Sequence, residues 1–268
     1  MADPRVVELH RLHAAGCFVM PNPWDLGSAR ILERLGFPAL ATTSAGAAWA
    51  LGMQDARLAL DESLAHLRAV AAAVAVPVSA DFQGAYAVEP DAVGGTVAVA
   101  VETGVAGLSI EDATGDAGSP LHERALAVDR IRAAREAIDR SGTRVLLTAR
   151  SEGYVVGHPD LDDTVARLVA YAQAGADCLY APRISTRAEI SAIVEAVAPK
   201  PVNLLVNAPW ITVAEAAALG VRRISVGGTL ARAAWGGWLG AAREIAEQGT
   251  FGGFRGLPDV EALLADEG

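Results

Sequence analysis

The sequence is almost devoid of lysine. Lys200 is the only lysine among 22 Lys and Arg residues, so all the other basic side chains are arginines. An aldolase that forms an imine with its substrate needs a buried lysine nucleophile. A Walker phosphate loop needs a lysine directly after its second glycine. The sequence therefore excludes both kinds of enzyme.

Metal-binding and disulfide patterns are also missing. The two cysteines, Cys17 and Cys178, form no C-x-x-C pair, which disfavours a disulfide scaffold and a structural zinc site. The five histidines include no H-x-H pair, so we expect no histidine-ligated metal. Any metal in this protein is expected to bind through carboxylate oxygens instead.

Basic patches and long apolar runs are absent as well. The 32 acidic residues exceed the 22 basic ones and give a net charge of −10, which disfavours nucleic acid as a partner. The N-terminus has no basic stretch followed by an apolar run, so we expect no signal peptide. The apolar stretch 69–78 is broken by Pro77 and is shorter than the roughly 20 residues that a membrane helix needs. We expect a cytoplasmic protein with no membrane partner.

What the sequence does contain is a repeated strand-then-helix unit. Short, continuous apolar runs predict strands at 17–20, 40–43, 76–80, 107–110, 145–149, 178–181, 202–206 and 223–226. Apolar residues at i, i+3 and i+4 predict helices between and after them, at 28–35, 60–74, 91–103, 128–141, 164–174, 187–197, 213–219 and 230–248. Helical crossovers of this kind connect parallel strands.

Eight such units in roughly 250 residues predict a (β/α)8 TIM barrel. A doubly wound open sheet is the rival, although it would usually have fewer strands. We predict one barrel domain over 1–268, with an N-terminal helix in 1–15 covering the opposite mouth and C-terminal helices in 229–268. The segments after the strands are longer and more polar than the turns before them, which marks the face where barrel enzymes place their active sites.

Charged residues follow several of the predicted strands. Asp55, Asp81 and Glu111 belong to three successive loops, and Arg150 follows the fifth strand. Carboxylate oxygens suit Mg²⁺, which keeps several waters, and an arginine grips a substrate carboxylate bidentately. Alternatives stay open, because these charges could form ordinary salt bridges and Arg150 could simply neutralise Glu111.

Other residues on this face have plainer explanations. Asp25 and Asp112 could cap the segments that follow them. The Gly227-Gly228 turn could bind phosphate or could simply be a tight turn.

Several segments carry a resemblance in their order and spacing. They are Asn22-Pro23-Trp24-Asp25, Thr42-Thr43-Ser44-Ala45-Gly46, Gly52 to Asp55, Ser79-Ala80-Asp81, Ser109-Ile110-Glu111-Asp112, Leu147-Thr148-Ala149-Arg150 and Ile224-Ser225-Val226-Gly227-Gly228. Over essentially its whole length, the chain resembles the isocitrate lyase / phosphoenolpyruvate mutase superfamily. The resemblance implies a (β/α)8 barrel whose eighth helix, here 230–248 with Trp235 and Trp238, is swapped between subunits of a homodimer or homotetramer.

The resemblance also implies a metal site and a substrate pocket. Asp81 would bind Mg²⁺, or Mn²⁺, directly, while Asp55 and Glu111 would hold metal-bound waters. Asp55, Glu111 and Arg150 would be the catalytic residues, with Arg150 also binding the carboxylate of a small keto acid. The other implied substrate contacts are Trp24, the backbone around Ser44, Ala45 and Gly46, and Asn207.

Three departures from the superfamily pattern bear on activity. Gln83 stands where a second acid usually follows Asp81. The stretch 113–120 replaces a Cys-Gly-His lid and contains no cysteine, so the usual general acid is missing. Ala181-Pro182-Arg183 follows the sixth strand where a glutamate is often found.

The leading hypothesis is a Mg²⁺-dependent lyase that forms an enolate from a small α-keto or 2-hydroxy carboxylate by C–C cleavage. The alternative within the superfamily is a C–P mutase or hydrolase acting on a phosphonate such as phosphonopyruvate. A third hypothesis, motivated by Gln83 and the cysteine-free lid, is a barrel that binds a keto acid without turning it over. Asp81, Glu111 and Arg150 argue against it, because a pure binder has little need of a metal.

Overall fold

The predicted strands are present and form one parallel sheet that curls into a barrel. The structure is a computed structural model that describes residues 3–265; residues 1, 2 and 266–268 of the predicted domain lie outside that range. The strands are β1 (Phe18–Val19), β2 (Leu40–Ala41), β3 (Val78–Asp81), β4 (Gly107–Glu111), β5 (Leu146–Arg150), β6 (Cys178–Tyr180), β7 (Val202–Leu205) and β8 (Arg223–Ser225). Their order is β1-β8-β7-β6-β5-β4-β3-β2.

Hydrogen bonds just beyond β1 and β2 close the sheet on itself. The Ala41 N–H donates to the carbonyl of Pro21 at 3.0 Å. The Asn22 side-chain amide donates to the Thr42 carbonyl at 2.9 Å. The fold is therefore the predicted (β/α)8 barrel rather than the open doubly wound sheet.

Helices surround the strands at the predicted places. They are α1 (Pro4–Ala14), α2 (Leu26–Arg34), α3 (Ser44–Ala50), α4 (Leu60–Ala73), α5 (Pro90–Val101), α6 (Arg124–Ser141), α7 (Leu161–Gln173), α8 (Arg187–Val197), α9 (Val213–Ala218), α10 (Thr229–Gln248) and α11 (Val260–Leu264). The short helix α3 lies in a segment that the sequence predicted as a loop. No helix within 3–265 is long and apolar enough to span a membrane.

Helix α1 covers the barrel mouth at the N-terminal ends of the strands. Leu9 of α1 is fully buried and reaches Gly107 at the start of β4. A Cβ atom on Gly107 would lie 2.9 Å from the Leu9 Cδ2 atom and 3.2 Å from the Leu146 carbonyl oxygen. Glycine at position 107 thus permits the close approach of α1, as expected for a segment that plugs this mouth.

Helix α10 packs differently from the helices that precede it. Although it is 20 residues long, Ala231 is its only buried residue within the described chain. Trp235 and Trp238 are 43% and 62% exposed and contact each other edge to face. Beyond α10, the chain returns to the barrel, where Arg34 of α2 donates to the Leu263 and Leu264 carbonyls of α11.

Candidate active site

A cavity of about 400 Å³ opens at the carboxyl ends of the strands. It lies on the face with the long polar loops, where barrel enzymes carry their active sites. The ends of β3, β4 and β5 and the loops after β2 and β5 contribute Asp55, Asp81, Glu111, Arg150 and Glu152 to its lining, and Arg183 and Arg232 line it as well. The structure thus brings the predicted acids and the predicted arginine to one cavity.

The Arg150 guanidinium contacts three carboxylates at the floor of this cavity. Its Nη1 atom lies 2.7 Å from Asp81, its Nη2 atom 2.9 Å from Glu111, and its Nε atom 2.9 Å from Glu152. Glu111 and Arg150 are opposite each other in the β4–β5 register, so strand pairing itself places them together. The Tyr180 ring, across the β5–β6 register, lies 5.3 Å from the guanidinium carbon. We call Arg150, Asp81, Glu111 and Glu152 the arginine cluster.

The arginine cluster is short of positive charge. Burial raises the pKa of Glu111 to about 8; the charges of Glu152, Asp81 and Asp55 add to the rise, while Arg150 opposes it. Burial likewise raises the pKa of Glu152 against the effect of Arg150. Burial disfavours the charge on Arg150, yet the three carboxylates hold its pKa well above the ordinary range. One guanidinium cannot neutralise three contacting carboxylates, so the site favours a further cation or a proton.

Asp81 is held through both of its carboxylate oxygens. Oδ1 pairs with Arg150, while Oδ2 accepts hydrogen bonds from the Ser44 N–H and the Ser44 hydroxyl, each at 2.9 Å. The Gly46 N–H donates to the side chain of Thr43, which caps α3. Of the three N–H groups predicted to cradle a substrate, only that of Ala45 has no protein acceptor within the described residues.

The other predicted site residues lie at different depths. Asp55 sits at the cavity rim, where desolvation raises the pKa of its carboxyl, and Asn207 also lines the cavity. Trp24 does not line it, because its Cβ atom packs behind Gly46, 2.7 Å from where a Gly46 Cβ would stand. Trp24 thus supports the cavity wall from behind, and its direct contact with substrate stays a prediction. Gly46 is buried next to Trp24 and supports the same wall.

Two acids of the site were missed from the sequence. Glu152 follows Arg150 by two residues at the end of β5 and is 2% exposed. Asp112, which the sequence suggested as a cap, is buried instead and accepts hydrogen bonds from the Glu152 N–H at 2.7 Å, the Tyr171 hydroxyl at 2.6 Å and Arg167 at 3.2 Å. For Glu152 the available signal was strand alternation, because it stands two residues after Arg150 and residues two apart in an extended strand share a face.

Two segments bear on alternatives that the sequence left open. Asp25 caps α2 by accepting from the Ser28 N–H at 2.7 Å. Asn22 accepts from the N–H groups of Val226 and Gly227, each at 2.9 Å, which favours the tight-turn interpretation of the Gly227-Gly228 segment.

The cysteine-free lid stretch and the position of Gln83 both border the cavity. The lid folds back on itself, with the Thr114 N–H donating to the Pro120 carbonyl at 3.0 Å, and Ala113 at its start lines the cavity. Gln83 also lines the cavity and donates to the Tyr86 hydroxyl at 3.2 Å.

Comparisons with known proteins identify the family of this barrel. The profile of the family described as phosphoenolpyruvate phosphomutase matches residues 9–246. The chain belongs to this family, and with it to the isocitrate lyase / phosphoenolpyruvate mutase superfamily that its residues resemble.

Named relatives fit this membership. An uncharacterised protein of Mycobacterium tuberculosis (strain H37Rv) is 34% identical over 82% of each chain. Oxaloacetate decarboxylase of Rhodopseudomonas palustris (strain BisB5) is 32% identical over 69% of this chain and 65% of its own.

Solved structures agree as well. A Burkholderia cenocepacia J2315 protein provisionally named a lyase/mutase is 45% identical, covers 98% of this chain and 97% of its own, and superposes with a TM-score of 0.95. Oxaloacetate acetylhydrolase in complex with its product oxalate is 28% identical, covers 95% of this chain and 89% of its own, and gives a TM-score of 0.84. The likeness therefore extends over almost the whole barrel.

The raised pKa of Glu111 predicts a pH dependence of stability in metal-free buffer. Between its ordinary value of 4.5 and about 8, the folded chain keeps a proton that the unfolded chain has released. Stability contributed by this group therefore falls as the pH rises through that window and levels off above it. Glu111→Gln should flatten this decline in melting temperatures recorded with a chelator present. Glu136→Gln, on the exposed face of α6, should keep the wild-type slope; an unchanged slope in Glu111→Gln would contradict the assignment.

Because Asp112 is buried, we expect loss of the Tyr171 hydroxyl to lower the stability of the fold markedly. Tyr171→Phe removes a 2.6 Å hydrogen bond to this buried carboxylate. The free energy of unfolding should drop by about 1.5–3 kcal/mol, because a charged acceptor loses a donor away from water. The matched control is Tyr154→Phe, which removes a hydrogen bond to the more accessible Glu189. Denaturant titrations in which both variants lose equal stability would show that Asp112 does not depend on Tyr171.

Proposed function

We propose that this chain is a divalent-metal-dependent lyase that cleaves a C–C bond in a small α-keto or 2-hydroxy dicarboxylate and passes through an enolate. The observation that carries the proposal is the arginine cluster, in which Arg150 and three carboxylates meet at the floor of the cavity. Two proteins similar to the chain, the decarboxylase and the acetylhydrolase, carry names that specify oxaloacetate. They support an oxaloacetate-like substrate, which is an α-keto dicarboxylate.

The carboxylates of the arginine cluster fit a hard divalent cation. Their ligand atoms are all oxygens, and the three carboxylates carry more negative charge than Arg150 offsets. No group of three carboxylates, imidazoles or thiols forms a ready metal cage within 3–265, where each cluster carboxylate contacts the guanidinium instead. Mg²⁺ keeps several waters, so Asp81 would be its direct ligand while Asp55 and Glu111 would hold its bound waters; Mn²⁺ would suit the same oxygens. Such an ion supplies Lewis-acid stabilisation of the negative charge that develops on an enolate oxygen.

Arg150 retains donors for a substrate. A guanidinium has five N–H groups. Arg150 donates hydrogen bonds to Asp81 from Nη1 and to Glu152 from Nε, while its contact with Glu111 is an ion pair at Nη2. N–H groups on both terminal nitrogens are therefore left to hold a substrate carboxylate. The contacts with Glu152 and the Tyr180 ring fix the plane of the guanidinium, so that the substrate is oriented as it binds.

A backbone donor next to Ser44, whose N–H binds Asp81, completes the pocket. The Ala45 N–H, at the start of α3, is the group there that has no protein acceptor among the described residues, and Ala45 lines the cavity. It would donate to the keto or carboxylate oxygen of the substrate and stabilise the charge that moves onto that oxygen. The Ser44 N–H and hydroxyl hold Asp81 and so position its carboxylate.

The chain's assembly is a separate proposal. Helix α10 leaves Trp235, Trp238 and most of its length uncovered on its own barrel. We propose that α10 is exchanged with a second copy, in a homodimer or a pair of such dimers, because its apolar side chains then leave water.

A metal and an enolate mimic test the proposed function. Millimolar Mg²⁺ with oxalate should raise the melting temperature, and the chain should release a keto acid or oxalate from an oxaloacetate-type substrate only with the metal. Asp81→Ala should abolish both effects, because it removes the direct ligand. The control Asp25→Ala removes only the cap of helix α2, which lies outside the cavity. It should lower the free energy of unfolding by about 1 kcal/mol and keep the metal-dependent rise in melting temperature.

The alternatives give different results in the same assays. Turnover of phosphonopyruvate but not of any C–C substrate would favour C–P chemistry. Oxalate binding without turnover of any substrate would favour a keto-acid-binding barrel. A metal-dependent shift that survives in Asp81→Ala would show that the ligand assignment is incorrect.

Sedimentation tests the exchanged helix. The wild-type chain should sediment as a dimer or tetramer, and Trp238→Glu should shift it towards monomer by placing a charge in an apolar interface. Val7→Glu changes a residue of α1 that is 56% exposed and should leave the assembly intact. A monomeric wild-type chain at micromolar concentration would rule out the exchange.

A further inference from the structure

The barrel interior below the arginine cluster is polar and open. TIM barrels generally fill this space with bulky branched side chains. Here the cavity lining includes the bulky apolar side chains of Met20 and Leu205, and five of the residues beside them are small or polar: Ala41, Ser79, Ser109, Asn203 and Ser225. We call this space, together with Arg223 at its base, the inner well.

Arg223 is a buried cation whose protein contacts are all neutral. It is 3% exposed, and its Nε atom donates to the Asn203 side chain at 2.7 Å. Its Nη1 atom lies 3.1 Å from the Thr148 hydroxyl and 3.3 Å from the His13 Nε2 atom. Within residues 3–265 it makes no contact with a carboxylate.

His13 does not change this charge. Its Nδ1 atom lies 2.7 Å from the Leu9 carbonyl and donates to it, which leaves Nε2 as an acceptor for Arg223. Burial, reinforced by the positive charge of Arg223, lowers the pKa of His13 to about 3. The imidazole is therefore neutral at ordinary pH, and the guanidinium keeps an uncompensated positive charge.

One end of the guanidinium is available to a ligand. The Nη2 atom has no hydrogen-bond acceptor in the described part of the chain, and Arg223 lines the cavity. Both N–H groups of Nη2 are therefore left without a protein partner next to the open well. A buried cation without a counter-charge is costly, so this arrangement favours an anion beside it.

We propose that the inner well is a binding site for one small anion, of carboxylate or halide size, with Arg223 as its counter-charge and Ser79, Ser109 and Ser225 as neighbouring hydroxyl donors. Thr148, which Arg223 contacts, lies two residues before Arg150 on β5, roughly 7 Å along the strand. A small dicarboxylate could therefore reach both arginines. The anion is either a free inorganic ion or the second carboxylate of the substrate; the latter source rests on the proposed function.

The direct test uses the wild-type chain without metal or substrate. Crystals soaked in sodium bromide should show an anomalous peak next to the Arg223 guanidinium. In solution, bromide or chloride exchanged against a bulky sulfonate at constant ionic strength should raise the melting temperature. A well that holds only water in the soaked crystal would overturn the proposal. Neither measurement depends on turnover, so the proposed function can fail while this site stands.

Substitutions of Arg223 test whether its positive charge is responsible for halide binding. Arg223→Gln should weaken halide binding about tenfold or more, since a charge-assisted hydrogen bond is lost, whereas Arg223→Lys should retain part of it. The matched control is Arg222→Gln, which changes the exposed neighbouring arginine that donates to the Gly16 carbonyl. Equal halide binding in Arg223→Gln and Arg222→Gln would refute the proposal. If Arg223→Gln does not fold, the bromide peak in the wild-type crystal and halide binding by Arg223→Lys still test the proposal.

Competition separates the two sources of the anion. If the site takes the second carboxylate of the substrate, malonate or succinate should bind more weakly as chloride rises, and acetate should occupy the site only at higher concentration. If the site holds a free inorganic ion, chloride should leave dicarboxylate binding unchanged while the bromide peak persists. Either outcome supports an anion site, and absence of binding by both kinds of anion would contradict it.

Discussion

The contact of one guanidinium with three carboxylates is the constraint on which the rest of the site depends. Arg150 ties together the ends of β3, β4 and β5, because its partners Asp81, Glu111 and Glu152 come from those three strands or the residues just after them. The same contact leaves the cavity floor with more negative than positive charge. A floor of this kind attracts a cation and still offers an arginine to an anionic substrate, which is the combination that enolate chemistry requires.

A second layer of polar residues holds this arrangement from behind. Asp112 fixes the backbone of Glu152 and is itself satisfied by Tyr171 and Arg167. Arg130, which is 1% exposed, donates to the carbonyl oxygens of Glu111 and Gly84 and so holds the end of β4 against the loop after β3. Because these supporting groups are buried and largely paired, the acids above them have little freedom to relax away from Arg150.

The sequence predicted the barrel and the site residues that stand at strand ends. It did not predict features that depend on contacts between distant parts of the chain. Apolar periodicity revealed the eight units because each strand and helix buries a regular face. Helix α3 was missed, since Ser44–Ala50 is too short and too rich in alanine to show an amphipathic period. Asp112 resembles a cap in sequence, and only the fold brings Tyr171 and Arg167 to it. Trp24 lies in a motif segment, yet its position behind Gly46 depends on how two loops pack.

The scarcity of lysine has a structural counterpart along the barrel axis. Arginine stays protonated when buried, whereas a buried lysine readily loses its proton. Arg150 and Arg223 therefore place permanent charges at two depths of the barrel, near the carboxyl ends of the strands and in the interior, and their surroundings are opposite. Carboxylates outnumber Arg150, while Arg223 contacts only neutral groups. The arginine cluster consequently favours an added positive charge, whereas the space around Arg223 favours a negative one. A dicarboxylate bound in one orientation could contact a cation held by the arginine cluster at one end and neutralise Arg223 at the other.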